Sequence, residues 1–212
     1  MKITVINGTE KHGVTYRLKE IFLERFRKKA EITEFYLPKD CPSFCSGCVS
    51  CTLKGEHTCK DSEYIQKIAA SLLESDLIVM TSPAYVMHTT GSMKALLDHF
   101  AYLWMPHRPA PEMFTKRAVI ISQCLGAGAK STAKDIKHSL SWWGISKITV
   151  FTGRKLSSIN YEKPSRVNAI TRIKFLFCRM MQKSLHKNDP QYLDGKYWAE
   201  RGWLGNIRPW GA

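Results

Sequence analysis

No uncharged apolar run in the 212 residues comes near the roughly 18 needed to span a bilayer, so no transmembrane segment is expected. Nothing at the start resembles a secretory leader, because Met1-Lys2 runs straight into a strand pattern, and the expected compartment is the cytoplasm. Internal repeats and low-complexity tracts are absent. There is no Walker loop and no G-x-G-x-x-G after the first strand pattern, which argues against ATP and against a dinucleotide on that loop. Acidic residues are scarce, with 18 Asp and Glu against 32 Lys and Arg and a formal net charge of +14. That excess is local: from Arg154 to Lys187 nine Lys or Arg stand against Glu162 alone, so one segment carries +8 of it. A basic helix in this segment, with Ile173, Leu176, Phe177 and Met180 on one face, reads as packed with a solvated basic side.

What is present is globular. The chain is 44% hydrophobic and 11% aromatic, enough for one full core. Residues 2–7 (KITVIN) form a first strand, and an amphipathic helix follows with Val14, Leu18, Ile21, Phe22 and Phe26 on one face and Lys19 on the polar side. The loop between them, residues 8–16, carries glycine, hydroxyls and Lys11. A helix N-terminus there offers free N–H groups to an anion, or the loop is a plain turn. A second strand covers 31–37. Asp61 is expected to cap a helix bearing Tyr64, Ile65, Ile68, Ala69, Leu72 and Leu73.

The third strand, from Leu77, ends in Thr81-Ser82-Pro83. The loop Ser82 to His88 then leads into a helix expected over 92–104, in which His99 reads as a packing or capping residue. Pro83 makes the chain leave the strand stiffly, and Tyr85 offers a flat aromatic face. A fourth strand, 117–123, ends in Cys124-Leu125-Gly126-Ala127-Gly128, where glycine permits close backbone approach. A helix with Ala133, Ile136, Leu140 and Trp143 in register and a fifth strand, 147–151, complete the pattern. Five strands alternating with helices predict an α/β three-layer sandwich of flavodoxin-like pattern. Its parallel sheet has order 2-1-3-4-5 and helices on both faces. Three strand-end loops (8–16, 82–88, 123–128) then converge at the switch point, one suited to phosphate, one aromatic and one glycine-rich. That combination suits a flavin mononucleotide. The division expected is 1–153 for this domain and 154–212 for a basic helix and a Trp-rich tail (197–210) packed on it.

Five of the seven cysteines crowd between Cys41 and Cys59, a pattern for metal or redox chemistry in a reducing compartment. Cys45, Cys48, Cys51 and Cys59 have the spacing C-x2-C-x2-C-x7-C. Three thiolates two residues apart can wrap one corner of a [4Fe–4S] cubane while the fourth closes it. A four-thiolate zinc and a metal-free loop of small thiols are the competing readings. A zinc-bearing nucleic-acid module is the reading from another class. The basic residues do not interleave with the cysteines and no groove-reading motif appears, so no nucleic-acid partner is expected.

The motifs INGT, CSGCVSCTLKGEHTC and DLIVMTSPAYVMHTTGSMKALLDHF resemble the NAD(P)H-dependent FMN reductase and iron–sulfur flavoprotein group of the flavodoxin-like superfamily. The later WMPHRP and YWAERGWLGNIRPW resemble one subfamily of it. The resemblance implies FMN held by its phosphate at Thr9, Lys11, Thr15 and Tyr16. It implies a ring lined by Ser82, Pro83, Ala84, Tyr85 and Val86, with Cys124, Leu125, Gly126, Ala127 and Gly128 at the other edge. The first loop departs from the group's usual Ser-x-Arg and is about one residue shorter. The implied reaction passes hydride from NAD(P)H through the flavin to an oxidised acceptor, with no side chain as general acid or base. With a [4Fe–4S] cluster at the four cysteines, the protein is instead an electron carrier for an acidic partner such as ferredoxin. A homodimer or homotetramer is implied as well.

Overall fold

The computed structural model describes residues 1–106, 108 and 110–154. The expected basic helix, the Trp-rich tail and the rest of the expected second segment beyond Arg154 lie outside these residues, as does part of the proline-rich stretch 105–111. The strands are β1 (Lys2–Asn7), β2 (Glu31–Tyr36), β3 (Leu77–Pro83), β4 (Arg117–Cys124) and β5 (Lys147–Arg154). The helices are α1 (Val14–Leu23), the single turn α2 (Ser50–Leu53), α3 (Ser62–Glu74), α4 (Gly91–His99) and α5 (Ala129–Trp142).

All five strands are parallel and ordered β2-β1-β3-β4-β5, the flavodoxin-like order expected. The central strands β3 and β4 are buried almost throughout, as continuous apolar runs covered on both faces must be, whereas no residue of the edge strand β2 is fully buried. Period-2 alternation sorts the two faces. Ile6, Met80, Ile120 and Val150 stand in register and pack with Ile65, Ile68 and Leu72 of α3, Met93, Leu96 and Leu97 of α4, and Ala133, Ile136 and Leu140 of α5. On the opposite face lie Val5, Val79 and Val119, with Phe22 of α1 reaching Phe151 at 6.2 Å between ring centroids.

Two expectations are corrected. The helix expected over 92–104 stops at His99, because Phe100 N–H turns to the Leu97 carbonyl at 3.2 Å, and a 3-10 turn takes over at Ala101–Leu103. Lys19, assigned to the solvated side of α1, is fully buried, because two carboxylates meet it inside the protein.

A second buried lysine closes α3. Lys116 Nζ donates to the Leu73 carbonyl at 2.6 Å and to the Ser75 carbonyl at 2.7 Å, satisfying acceptors that the helix end leaves open. Burial pushes its pKa below the ordinary lysine range. Lys116→Met should therefore strand two carbonyls and destabilise the fold by about 1–3 kcal/mol, read as a lower urea midpoint at unchanged m-value.

Candidate functional site

Strand order puts the carboxyl ends of β1, β3 and β4 side by side, and hydrogen bonds lock their loops together. Gly8 N–H donates to the Thr81 carbonyl at 2.7 Å, and Thr90 Oγ1 donates to the Gly8 carbonyl at 2.7 Å. A Cβ on Gly8 would stand 2.8 Å from that Thr81 oxygen and 3.1 Å from Thr90 Oγ1, so only glycine allows this approach. Thr90 also caps α4, accepting from Met93 N–H at 3.2 Å. Ser82 is buried beneath the same junction, where its hydroxyl accepts from Thr90 N–H at 3.2 Å and Thr89 Oγ1 at 3.0 Å.

Beyond Pro83 the chain makes a two-residue hairpin, with reciprocal hydrogen bonds between Tyr85 and His88 at 2.9 and 3.1 Å. Its corners, Val86 and Met87, have φ of 48° and 71°. A type I′ turn demands such values but normally recruits Asn-Gly, so a β-branched valine here is strained backbone held in place by its surroundings. Those surroundings come from the third loop. Gly128, at φ 101°, leaves only 2.8 Å between a notional Cβ and Met87 Cα. Ser131 Oγ donates to the Met87 carbonyl, and Asp135 accepts from Thr89 N–H at 3.3 Å and pairs with His88 Nδ1 at 3.2 Å. Tyr85, Val86, Met87 and Leu125 are left exposed, an apolar rim above the strand ends.

The anion end of the crevice lies at α1. Gly13 stands at its N-cap without a side-chain cap, and the first turn holds no acid. The first helical bond runs from Arg17 N–H to the Gly13 carbonyl at 3.1 Å, so helix geometry leaves the N–H groups of Val14, Thr15 and Tyr16 without intrahelical acceptors. Tyr16 is clamped between the stacked His12 ring (3.9 Å, 6° between planes) and the Lys19 ammonium, 4.2 Å from its centroid. Lys19 pairs with Glu34 at 2.5 Å and Glu20 at 2.8 Å, and Tyr36 OH donates to Glu34 at 2.9 Å. Burial alone would lower Lys19, yet its two carboxylates hold it above the ordinary lysine range. Burial alone would raise Glu20, yet Lys19 and Arg27 hold it below the ordinary carboxylate range.

Of the residues expected to face a cofactor, Thr9, Lys11, Tyr16, Pro83, Ala84, Tyr85, Val86, Leu125, Gly126, Ala127 and Gly128 are exposed or half-buried around the crevice. Thr15 and Ser82 are buried, and Cys124 is buried with its thiol donating to the Gly153 carbonyl at 3.6 Å. Sequence reasoning missed the tethers Thr81, Thr90, Ser131 and Asp135. Thr90 alone had a signal, a threonine just ahead of a helical pattern.

The cysteine segment lies elsewhere. Cys45 and Cys48 are exposed, while Cys51 and Cys59 are half-buried. Hydrogen bonds from Ser50 and Ser46 lower the Cys48 thiol, whereas burial, Asp61, Cys51 and Cys45 raise Cys59. Among the described residues no three of these thiols lie within 4.8 Å of one another. Zn–S bonds of about 2.3 Å would draw the sulfurs of a single-ion site to roughly 4 Å, so the arrangement does not fit four-thiolate zinc. Four thiolates are the kind of donor set that a [4Fe–4S] cluster takes. A separate cavity of about 520 Å³, lined by Glu56, His57, Leu73, Phe100 and Arg108 among others, borders this segment and contains none of the three loops.

Gly128→Ala should cost about 1–3 kcal/mol, measured by chemical denaturation, because it adds a side chain at positive φ against Met87. Glu20 supplies a pH test. Its depressed pKa contributes stability above its ordinary value of 4.5 that is lost as pH falls through the folded value. Glu20→Gln should therefore destabilise at pH 7, and the gap from the parent protein should close as titration proceeds well below pH 4.5.

Known proteins share this construction. The model of the NADPH-dependent FMN reductase family matches residues 1–154. An iron-sulfur flavoprotein of Archaeoglobus fulgidus is 23% identical over 145 residues, 68% of this chain and 63% of its own. Another from that organism is 34% identical over 99 residues, 46% of this chain and 48% of its own. The chain thus spans less than two thirds of the curated relatives it matches. The solved structure of an FMN-dependent NADH-azoreductase from Bacillus anthracis in complex with FMN aligns with a TM-score of 0.65 at 14% identity, covering 85% of this chain and 99% of that one, a likeness of fold. With the expected sheet order, three interlocked strand-end loops and a family match over 154 residues, the chain belongs to the NADPH-dependent FMN reductase family.

Proposed function

We propose that this protein is an FMN-dependent oxidoreductase that takes hydride from NADH or NADPH and reduces a quinone-like, other small-molecule or protein acceptor. The observation that carries this reading is the crevice over β1, β3 and β4, with an uncapped helix N-terminus at one end and an exposed apolar rim at the other. Bound FMN would supply the hydride-accepting and hydride-donating chemistry that the side chains lack. The chain's residues bind and shield. Thr9, Lys11, Thr15 and Tyr16, with the open N–H groups of α1, would hold the phosphate. Pro83, Ala84, Tyr85 and Val86 would line the ring, with Leu125, Gly126, Ala127 and Gly128 at its other edge. Ser82 and Cys124, buried at the ends of β3 and β4, would complete the lining, the Ser82 hydroxyl accepting from Thr89 and Thr90 and the Cys124 thiol facing the Gly153 carbonyl.

An electron carrier with a [4Fe–4S] cluster at Cys45, Cys48, Cys51 and Cys59 is the second reading. The C-x2-C-x2-C-x7-C spacing of the four thiols and the names of the curated relatives favour it.

Anaerobic mixing of the FMN-loaded full chain with NADH or NADPH tests the first reading. One nucleotide should bleach the flavin spectrum within the mixing experiment, and a simple naphthoquinone should restore it. Lys11→Ala should weaken FMN binding about tenfold. Failure of both nucleotides to bleach bound FMN would contradict the proposal.

A further inference from the structure

The chemistry of the cysteine segment does not end with its cysteines. Asp61 occupies the N-cap position of α3, yet its carboxylate makes no capping hydrogen bond. It reaches instead across 38 positions of sequence to His99 Nε2 at 3.0 Å. His99 is buried in the last turn of α4, and its Nδ1 lies 2.8 Å from the Ala95 carbonyl. Both ring nitrogens therefore face oxygen acceptors. The half-buried Cys59 joins this pair: its Sγ, a carboxylate oxygen of Asp61 and a ring nitrogen of His99 all lie within 4.8 Å of one another.

We propose that Cys59, Asp61 and His99 bind a single divalent transition-metal ion of the zinc type, a site that shares only Cys59 with the four-cysteine cluster set. The donors are one sulfur, one oxygen and one nitrogen, the three kinds that zinc accepts at about 2.0–2.3 Å. The Ala95 carbonyl holds the proton on Nδ1 and frees Nε2 to coordinate, the orientation that ligating histidines usually receive from a second partner. A thiolate and a carboxylate neutralise a dication, which suits a site with two of its three residues buried. Asp61, at the start of α3, and His99, at the end of α4, are fixed by helices, and the half-buried Cys59 leaves a way in. Such an ion would clasp the end of the cysteine segment to the helical face of the sheet. Because Cys59 serves only one centre at a time, the site competes with the cluster reading. It is independent of FMN.

Titration of the metal-free, FMN-loaded full chain with Co²⁺ alone, under anaerobic conditions, tests this. One Co²⁺ per chain should bind, with a thiolate-to-metal charge-transfer band and the intense visible bands of a tetrahedral site, and Zn²⁺ should displace it. Cys59→Ser should abolish the charge-transfer band. Asp61→Asn and His99→Gln should each weaken binding at least 100-fold, by analogy with lost metal partners. The double variant Cys45→Ser/Cys48→Ser should bind as the parent does, and it keeps the test decisive if a buried-site variant misfolds. Three results would overturn the proposal: no stoichiometric Co²⁺ band, a band lost with Cys45 and Cys48 but kept without Asp61 and His99, or protein isolated with about four irons and acid-labile sulfide that depend on Cys59.

Discussion

The close approach of Gly8 to β3 governs everything built at the head of the sheet. Its N–H reaches the Thr81 carbonyl and its own carbonyl receives Thr90 Oγ1, both at 2.7 Å, with no room for a side chain between. This contact anchors the start of the loop that leads into α1. Through Thr90 it also sets the start of α4 and the seat of the hairpin. The hairpin is pinned from the other side by Gly128, Ser131 and Asp135, so three loops from three strands behave as one unit. A strained Val86-Met87 corner persists because both neighbours over-determine it.

Parallel-sheet physics made most of the fold legible in the sequence. Continuous apolar runs marked β3 and β4, and helical periodicity marked the faces of α3 and α5 through Ile65, Ile68 and Leu72 and through Ile136, Leu140 and Trp143. What escaped was whatever depends on partners distant in sequence. Lys19 looked solvated because its stabilising carboxylate, Glu34, arrives from β2. Asp61 looked like a cap because its true partner lies 38 residues away. The hairpin at Val86-Met87 gave no signal, since neither residue prefers positive φ.

Two regions of opposite character thus share one sheet. The crevice is backbone-rich, with glycine contacts, hydroxyl tethers and a helix N-terminus open to an anion. The cysteine segment is side-chain-rich, with exposed thiols at Cys45 and Cys48 and a buried Asp61–His99 pair behind Cys59. The first is proposed to hold a flat, phosphorylated cofactor, and the second a metal. Physical separation lets each be altered without dismantling the other, because the tethers of the crevice, Thr81, Thr90, Ser131 and Asp135, include no residue of the segment 41–61.

The central claim is that this crevice recognises a phosphorylated flavin through the start of α1. Its most direct test is equilibrium titration of the full chain with FMN and with riboflavin, which differs in lacking the phosphate. One FMN should bind per chain, with riboflavin weaker by at least about 100-fold, the loss expected for two charge-assisted hydrogen bonds. Equal affinity for the two, or no binding of either, would contradict the account.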